Sequence, residues 1–295
     1  MESADSNSTS PSTEPDPALP PDVPTIRYKL TLAYRGTNYH GWQRQPVPPT
    51  WRGDAPDVLE GIPTVQQTLD QTIMAVVQHP IATVGSSRTD AGVHAKGQVV
   101  HFDTIRHQIP PHRLRHAINA RLPDDVVVRS MEQVSTDFDA IRSTTRKRYQ
   151  YAVWNAEDRS AFGGDLYFFR WHKIDVDRMR AGAKHFVGTH DYTSFARPGH
   201  GRATTTRTVL DCDVSRRGPI IVIGVEGTGF LWNQVRIMAG TLIEVGMGRF
   251  EPEDIATMLT AKDRKVAGST APAHGLYLQW IEHEMGGQCA VSSVQ

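Results

Sequence analysis

Residues 26–34, IRYKLTLAY, set Ile26, Tyr28, Leu30, Leu32 and Tyr34 at alternate positions among mostly polar neighbours, the period of a strand with one buried face. From Thr64 the period changes. Val65, Leu69, Ile73, Val76 and Val77 recur at helical spacing, with Thr64 placed as the N-cap. Strands follow at about 81–85 and 98–103, then a helix at 111–121 and a strand at 126–131, so the first half reads β-α-β-β-α-β. The second half repeats that order with a strand at about 147–154, a helix at 175–187, paired strands near 208–215 and 220–226, a helix over 230–247 and a final strand at 275–282. A short helix near 251–261 is inserted. The prediction is an α/β protein of the α+β type, built from two tandem pseudo-repeated β-α-β-β-α-β halves with mainly antiparallel sheets. The halves span 26–140 and 141–285, and no sequence identity links them.

Two stretches fall outside the pattern. Residues 1–25 are rich in Ser, Pro and acid, too poor in apolar groups to offset the entropy of ordering, and read as a disordered tail, while residues 286–295 are a short C-terminal tail beyond the last strand. The first segment lacks the basic start and apolar run of a secretory signal, and no run of ~18 uncharged apolar residues occurs, so no membrane span and a cytoplasmic location are expected. A Pro-rich connection at 46–63 is long for a compact domain and reads as an inert insertion or a functional flap.

The formal charge is zero, from 32 basic and 32 acidic residues. Five of the acids (Glu2, Asp5, Glu14, Asp16 and Asp22) lie in the first 25 residues, so the remainder carries 32 basic against 27 acidic groups and is mildly basic. Arg142, Arg146, Lys147 and Arg148 cluster, and Arg197, Arg202 and Arg207 punctuate a loop rich in Gly and Thr; such groups are solvated faces or phosphate contacts. Cys212 and Cys289 are far apart in no metal-like spacing, and no His, Cys or acidic motif marks a metal site.

Candidate chemistry sits in SRTDAGVHAKG, residues 87–97. Asp90 before Ala-Gly suits a turn, yet the loop joins two core strands, its glycines permit close approach of a ligand, and Arg88 stands two positions away. In the apolar helix at 231–247, Val235, Met238, Leu242 and Val245 form one stripe, and Arg236 sits in its early turns, where the helix dipole disfavours a cation. Arg236 therefore either reaches solvent or meets an acid, and Asp90 is the obvious partner. Tyr149 and Tyr151 alternate on one strand face beside the basic cluster, suited to base stacking or to a plain half-buried strand. GTGFLW, residues 227–232, looks like a dinucleotide fingerprint, but Trp232 stands at the third glycine and the connectivity is not a parallel β-α-β run.

The strings YRGTNYHGWQRQ (34–45), SRTDAGVHAKGQVVHF (87–102), RKRYQYAVWN (146–155), DYTSF (191–195), FLWNQVRIMAGTLIEVGMGR (230–249) and HGLYLQW (274–280) resemble the TruA-type tRNA pseudouridine synthases. The resemblance implies isomerisation of uridine to pseudouridine in the tRNA anticodon stem-loop, at positions 38 to 40, with no cofactor and no metal, by a homodimer whose active clefts lie between the two halves of each chain. It implies Asp90 as the catalytic aspartate, Arg88 as the neighbour that helps the uridine out of its stack, and Tyr149 as the ring packed on the uracil. Arg236 would be the ion-pair partner of Asp90, and Leu276 an apolar floor. A non-catalytic tRNA-binding protein of the same fold is the alternative, and Asp90 discriminates the two. Ser86 and Ser87 depart from the Ala-Gly pair common before the Arg in that family, and the residues themselves offer no account of them.

Overall fold

The alternation at 26–34 becomes strand β1 (Ile26–Tyr34), with Tyr28, Leu30, Leu32 and Tyr34 turned into the core. The computed structural model describes residues 24–45, 63–106, 108–199 and 203–284; the expected N-terminal tail up to residue 23, the Pro-rich connection at 46–62, Arg202 and the C-terminal tail from 285 lie outside the described residues. Helix α1 (Val65–Val77) starts where predicted, its N-cap Thr64 accepting a hydrogen bond from the Gln67 amide at 3.3 Å. Strands β2 (Val84–Gly85) and β3 (His94–Thr104), helix α2 (Pro111–Asn119) and strand β4 (Val126–Val134) complete the first half. The second half runs through β5 (Thr144–Asn155), β6 (Phe168–Arg170), α3 (Val176–Ala183), β7 (Gly188–Asp191), β8 (Thr206–Arg217), β9 (Ile220–Gly227), α4 (Gln234–Gly246), α5 (Asp254–Ala261) and β10 (Leu276–His283).

The described strands form one ten-stranded, mostly antiparallel sheet in the order β4-β1-β3-β10-β5-β9-β8-β7, with β2 attached to β3 and β6 to β5. The mainly antiparallel pairing is as expected, and the two halves join edge to edge. Leaving out the short β6 and β7, the four long strands of the second half (β5, β8, β9 and β10) repeat the spatial order of β1 to β4, with the fourth beside the first, then the third and the second. Strand β1 occupies the whole of one edge of β3, so β2 and β10 share the other. Strand β10 takes the beginning of that edge in a short parallel ladder, Tyr277 and Leu278 beside His94 and Ala95, and β2 takes Val100 and His101. The loop from Ser86 to Val93 therefore leaves the sheet at the seam where the halves meet.

The differences from the predicted elements have local causes. The strand expected at 81–85 pairs only over two residues, because the Thr83 amide and hydroxyl turn to the buried Asp70 carboxylate (3.2 and 2.6 Å) rather than to a neighbouring strand. The helix expected from residue 230 starts at Gln234, because Asn233 adopts a left-handed conformation (φ 62°) that no α-helix continues through. Strands β6 and β7, three and four residues long, are too short to register as a period.

Helix α2 lies on β4, and α3 lies between α4 and β8. Helix α4 is buried on almost every side, including the predicted stripe Val235, Met238, Leu242 and Val245. Gly240 on α4 faces the carbonyl of Ser269, and a β-carbon there would overlap that oxygen.

Two predictions follow from this packing. Gly240→Ala forces α4 away from the 269–271 segment, and overpacking of this kind costs about 1–3 kcal/mol, read as a lower midpoint in urea unfolding. Burial pushes the phenols of Tyr34, Tyr151 and Tyr192 well above their ordinary value. In the unfolded chain they lose protons near pH 10 while the fold keeps them protonated, so above about pH 10 the unfolded state binds fewer protons and stability falls as pH rises. Urea titrations across the alkaline range measure that decline.

Candidate active site

The loop between β2 and β3 is tied down at nearly every residue. The Ser86 amide donates to Val99 O (2.8 Å), and the Ser87 backbone makes a reciprocal pair with the Gln98 side chain. The Thr89 hydroxyl bonds the Tyr34 hydroxyl at 2.8 Å, and Thr89 O accepts from the Trp42 amide at 3.0 Å. Gly41 (φ +91°) makes that last approach possible, since a β-carbon there would lie 2.5 Å from Thr89 O. The Val93 amide closes a turn onto Asp90 O at 3.1 Å. The turn geometry of Asp-Ala-Gly is thus present, and it leaves the Asp90 carboxylate free to point away from its own backbone.

That carboxylate faces the first turn of α4. Arg236 Nη1 donates to Asp90 Oδ2 at 3.1 Å, and Trp232 Nε1 donates to Asp90 Oδ1 at 3.0 Å. Arg236 is itself fixed, its Nη1 also donating to Asn233 Oδ1 (3.0 Å) and its Nε to Ala271 O (2.8 Å). The side chains of Arg236 and Asp90 are 17% and 30% exposed, so the pair is partly withdrawn from water but reachable from the cleft. The cation that is poorly placed early in α4 is thereby matched by an anion, and that anion sits where the helix dipole favours it. The cation beside Asp90 comes from α4, on the other side of the seam.

The cleft around this pair has a volume of about 960 Å³ and is lined by Arg88, Asp90, Tyr149, Trp232, Arg236 and Leu276 among others. All five residues singled out from the sequence line it. Asp90 and Arg236 touch. Arg88 is exposed and makes no hydrogen bond or ion pair among the described residues. Tyr149 is buried on β5, its hydroxyl 2.8 Å from Ser87 Oγ and its ring edge-to-face with Phe230 (centroids 5.5 Å apart). Burial pushes its phenol up to about 12, with the Ser87 hydrogen bond acting against that rise and the Asp90 charge with it. Leu276 is buried at the start of β10, opposite Tyr151.

Other sequence features fall elsewhere. Tyr151 is fully buried and donates to Pro272 O at 2.8 Å. In the basic cluster, Arg146 meets Glu226 and Glu282, and Arg148 meets Asp211, Asp213 and Glu226, while Arg142 pairs with Asp139. The segment GTGFLW leads from an antiparallel strand into α4, and its Trp232 points at Asp90. Trp232 was read from sequence only as a misfit in a fingerprint, and an indole just before the helix gave no signal of its partner. Phe230 and the Ser87 hydroxyl were likewise not foreseen as neighbours of Tyr149. Among the described residues no cluster of His, Cys, Asp or Glu could hold a metal ion, and no helix is long and apolar enough to cross a membrane.

Comparison with known proteins gives one family. Its model, described as tRNA pseudouridine synthase, matches residues 32–141 and 183–283. Similar proteins include a tRNA pseudouridine synthase A of Exiguobacterium sibiricum, 42% identical over 252 residues, which span 85% of this chain and 94% of the relative. Those of Acetivibrio thermocellus (39%; 85% and 96%) and Bacillus subtilis (38%; 86% and 97%) are similar in extent.

The coupling between loop and helix is measurable. Arg236→Met removes the guanidinium bonds to Asp90, Asn233 and Ala271, and truncating one member of a charged hydrogen-bonded pair costs about 1–3 kcal/mol at this partial burial. Because Asp90→Asn removes part of the same interaction, the double variant loses less stability than the sum of the singles, a difference that urea unfolding of all four proteins reads directly.

Proposed function

Since the chain belongs to the tRNA pseudouridine synthase family and is thereby an isomerase acting on uridine in tRNA, we propose that its targets are the uridines at positions 38 to 40 of the anticodon stem-loop and that Asp90 carries the reaction. The observation that supports this reading best is the Asp90 carboxylate, held by Arg236 and Trp232 in a cleft large enough for a nucleotide drawn out of its stack. The motifs quoted from 34–45, 87–102 and 230–249 all contribute residues to the cleft or to the loop that holds that carboxylate; the choice of the anticodon stem-loop rests on the resemblance.

The chemistry requires few parts. The N1–C1′ bond breaks, the uracil turns in place, C5 bonds to C1′, and the C5 proton is lost while N1 gains one, so no atom is added and no cofactor enters. An ion-paired carboxylate beside the sugar serves as nucleophile at C1′ or as base on the sugar, and both routes begin from the arrangement of Asp90 with Arg236. In this reading Tyr149 packs on the uracil, Leu276 floors the pocket, and Arg88, exposed and unpaired among the described residues, fills the space the uridine vacates or meets its phosphate. Extruding a paired base costs a few kcal/mol, which stacking and a phosphate contact offset. The division at residue 140 into a half with the Asp90 loop and a half with Tyr149 and Arg236 belongs to the same reading and is supported by the repeated strand order. So does a homodimer acting in the cytoplasm.

Asp90→Asn is expected to abolish pseudouridine formation, by at least about 10³-fold, while tRNA binding in a filter or gel-shift assay stays within a few-fold of wild type. Turnover by that variant would overturn the assignment. Mapping pseudouridine in tRNA from cells with and without the protein fixes the positions; loss at 38 to 40 is the expected outcome.

A further inference from the structure

The pair of serines before Arg88 has hydroxyls in specific places. Ser86 and Ser87 are both buried, and both hydroxyls cross from the Asp90 loop to strand β5: Ser86 Oγ lies 2.7 Å from Thr144 Oγ1 and Ser87 Oγ lies 2.8 Å from Tyr149 OH. The Ser87 backbone is held independently by Gln98, so its hydroxyl is presented from a fixed point. Tyr149 is anchored at two places. The edge-to-face contact with Phe230 limits its tilt, and Ser87 fixes the far end of the ring. A buried phenol without that partner would hold an unsatisfied polar group, and the ring would move to find one.

We infer that Ser87 is a positioning residue for the reaction, its hydroxyl setting the distance between the Tyr149 ring and the Asp90 loop across the seam of the sheet. The inference rests on the reading of Asp90 and Tyr149 as the groups that meet the target uridine. Ser87 stands three residues before Asp90 in a loop whose backbone is tied at residues 86, 87, 89 and 90, so a hydrogen bond from its side chain to Tyr149 transmits directly to the carboxylate. Ser86 bonds the same strand five residues earlier, at Thr144, where Thr144 Oγ1 also donates to Ala140 O (2.8 Å); its hydroxyl clasps loop to strand without touching Tyr149.

The test is a double-mutant cycle on steady-state pseudouridine formation with Ser87→Ala, Tyr149→Phe and both together, each variant checked for a wild-type circular dichroism spectrum. Ser87→Ala strands a buried phenol, and kcat is expected to fall about 5- to 20-fold. KM for tRNA should stay within about twofold, because positioning is needed in the transition state rather than for docking. In the Tyr149→Phe background, where no hydroxyl remains to be held, Ser87→Ala should add no further loss. Ser86→Ala, in contrast, should multiply with Tyr149→Phe whatever its own effect. A Ser87→Ala enzyme with wild-type kcat, or one whose loss multiplies fully with that of Tyr149→Phe, overturns the inference. If Ser87→Ala fails to fold, Ser87→Gly, which likewise brings no new atoms, is put through the same cycle. Asp90→Asn, assayed alongside, separates the two ways of failing. Residual turnover in it removes the reading of the site, whereas an inactive Asp90→Asn with multiplying losses at Ser87 and Tyr149 removes only the role given to Ser87.

Discussion

The ion pair between Asp90 and Arg236 joins groups 146 residues apart, and each makes the other tolerable. An arginine three residues into an almost wholly buried helix is costly by itself, and so is a carboxylate recessed in a cleft. Together they leave one oxygen held by the guanidinium and the other by the Trp232 indole, with the remaining lone pairs open to the cleft. Much of the surrounding architecture serves to bring these two places together. The short parallel ladder of β10 on β3 fuses the halves beside the loop, and the carbonyl of Ala271 fixes the guanidinium from behind.

The distribution of charge bears on how RNA reaches the cleft. The cluster at 142–148 looks, in sequence, like a phosphate-binding strip. In the fold Arg146 and Arg148 lie among four carboxylates, Asp211, Asp213, Glu226 and Glu282, so that flank of β5 offers little net positive potential. Of the cations that line the cleft, Arg88 is exposed beside Asp90; Arg197, outside that lining, stacks on Trp232 with its guanidinium 4.2 Å from the ring centroid.

Regular elements were legible in the sequence because period reports burial: the strand alternation of β1 and the helical stripe of α1 each mark one buried face, and α4, buried on almost every side, shows as an apolar run. The misreadings occurred where a side chain competes with the backbone ladder or where one residue leaves the allowed helical region. Asp70 drawing off Thr83, and Asn233 breaking the start of α4, carry no periodic signal. The union of the halves into one sheet was equally invisible, since a two-residue parallel ladder depends on tertiary position alone. For the site, the misplaced charge of Arg236 on an apolar helix pointed to an acid, a constraint that sequence does reveal. Neutral partners such as Trp232, Phe230 and Ser87 gave no such warning, because an indole, a phenyl ring or a hydroxyl is unremarkable almost anywhere in a chain.

The loop that carries Asp90 illustrates how a carboxylate is kept in place without being buried. Its hydroxyls at Ser86, Ser87 and Thr89 each find a partner on a different part of the sheet, at Thr144, Tyr149 and Tyr34. All three are buried and satisfied, and a polar network in which every member is paired permits one arrangement where an apolar one permits several. The charged residues of the same loop behave oppositely, Arg88 exposed and Asp90 reachable from the cleft. With small hydroxyls turned inward and charges outward, a short loop of irregular backbone is tied to the sheet at several points. Each hydroxyl bond fixes the loop within four residues of Asp90, so the carboxylate is held through its own backbone on one side and by Arg236 and Trp232 on the other.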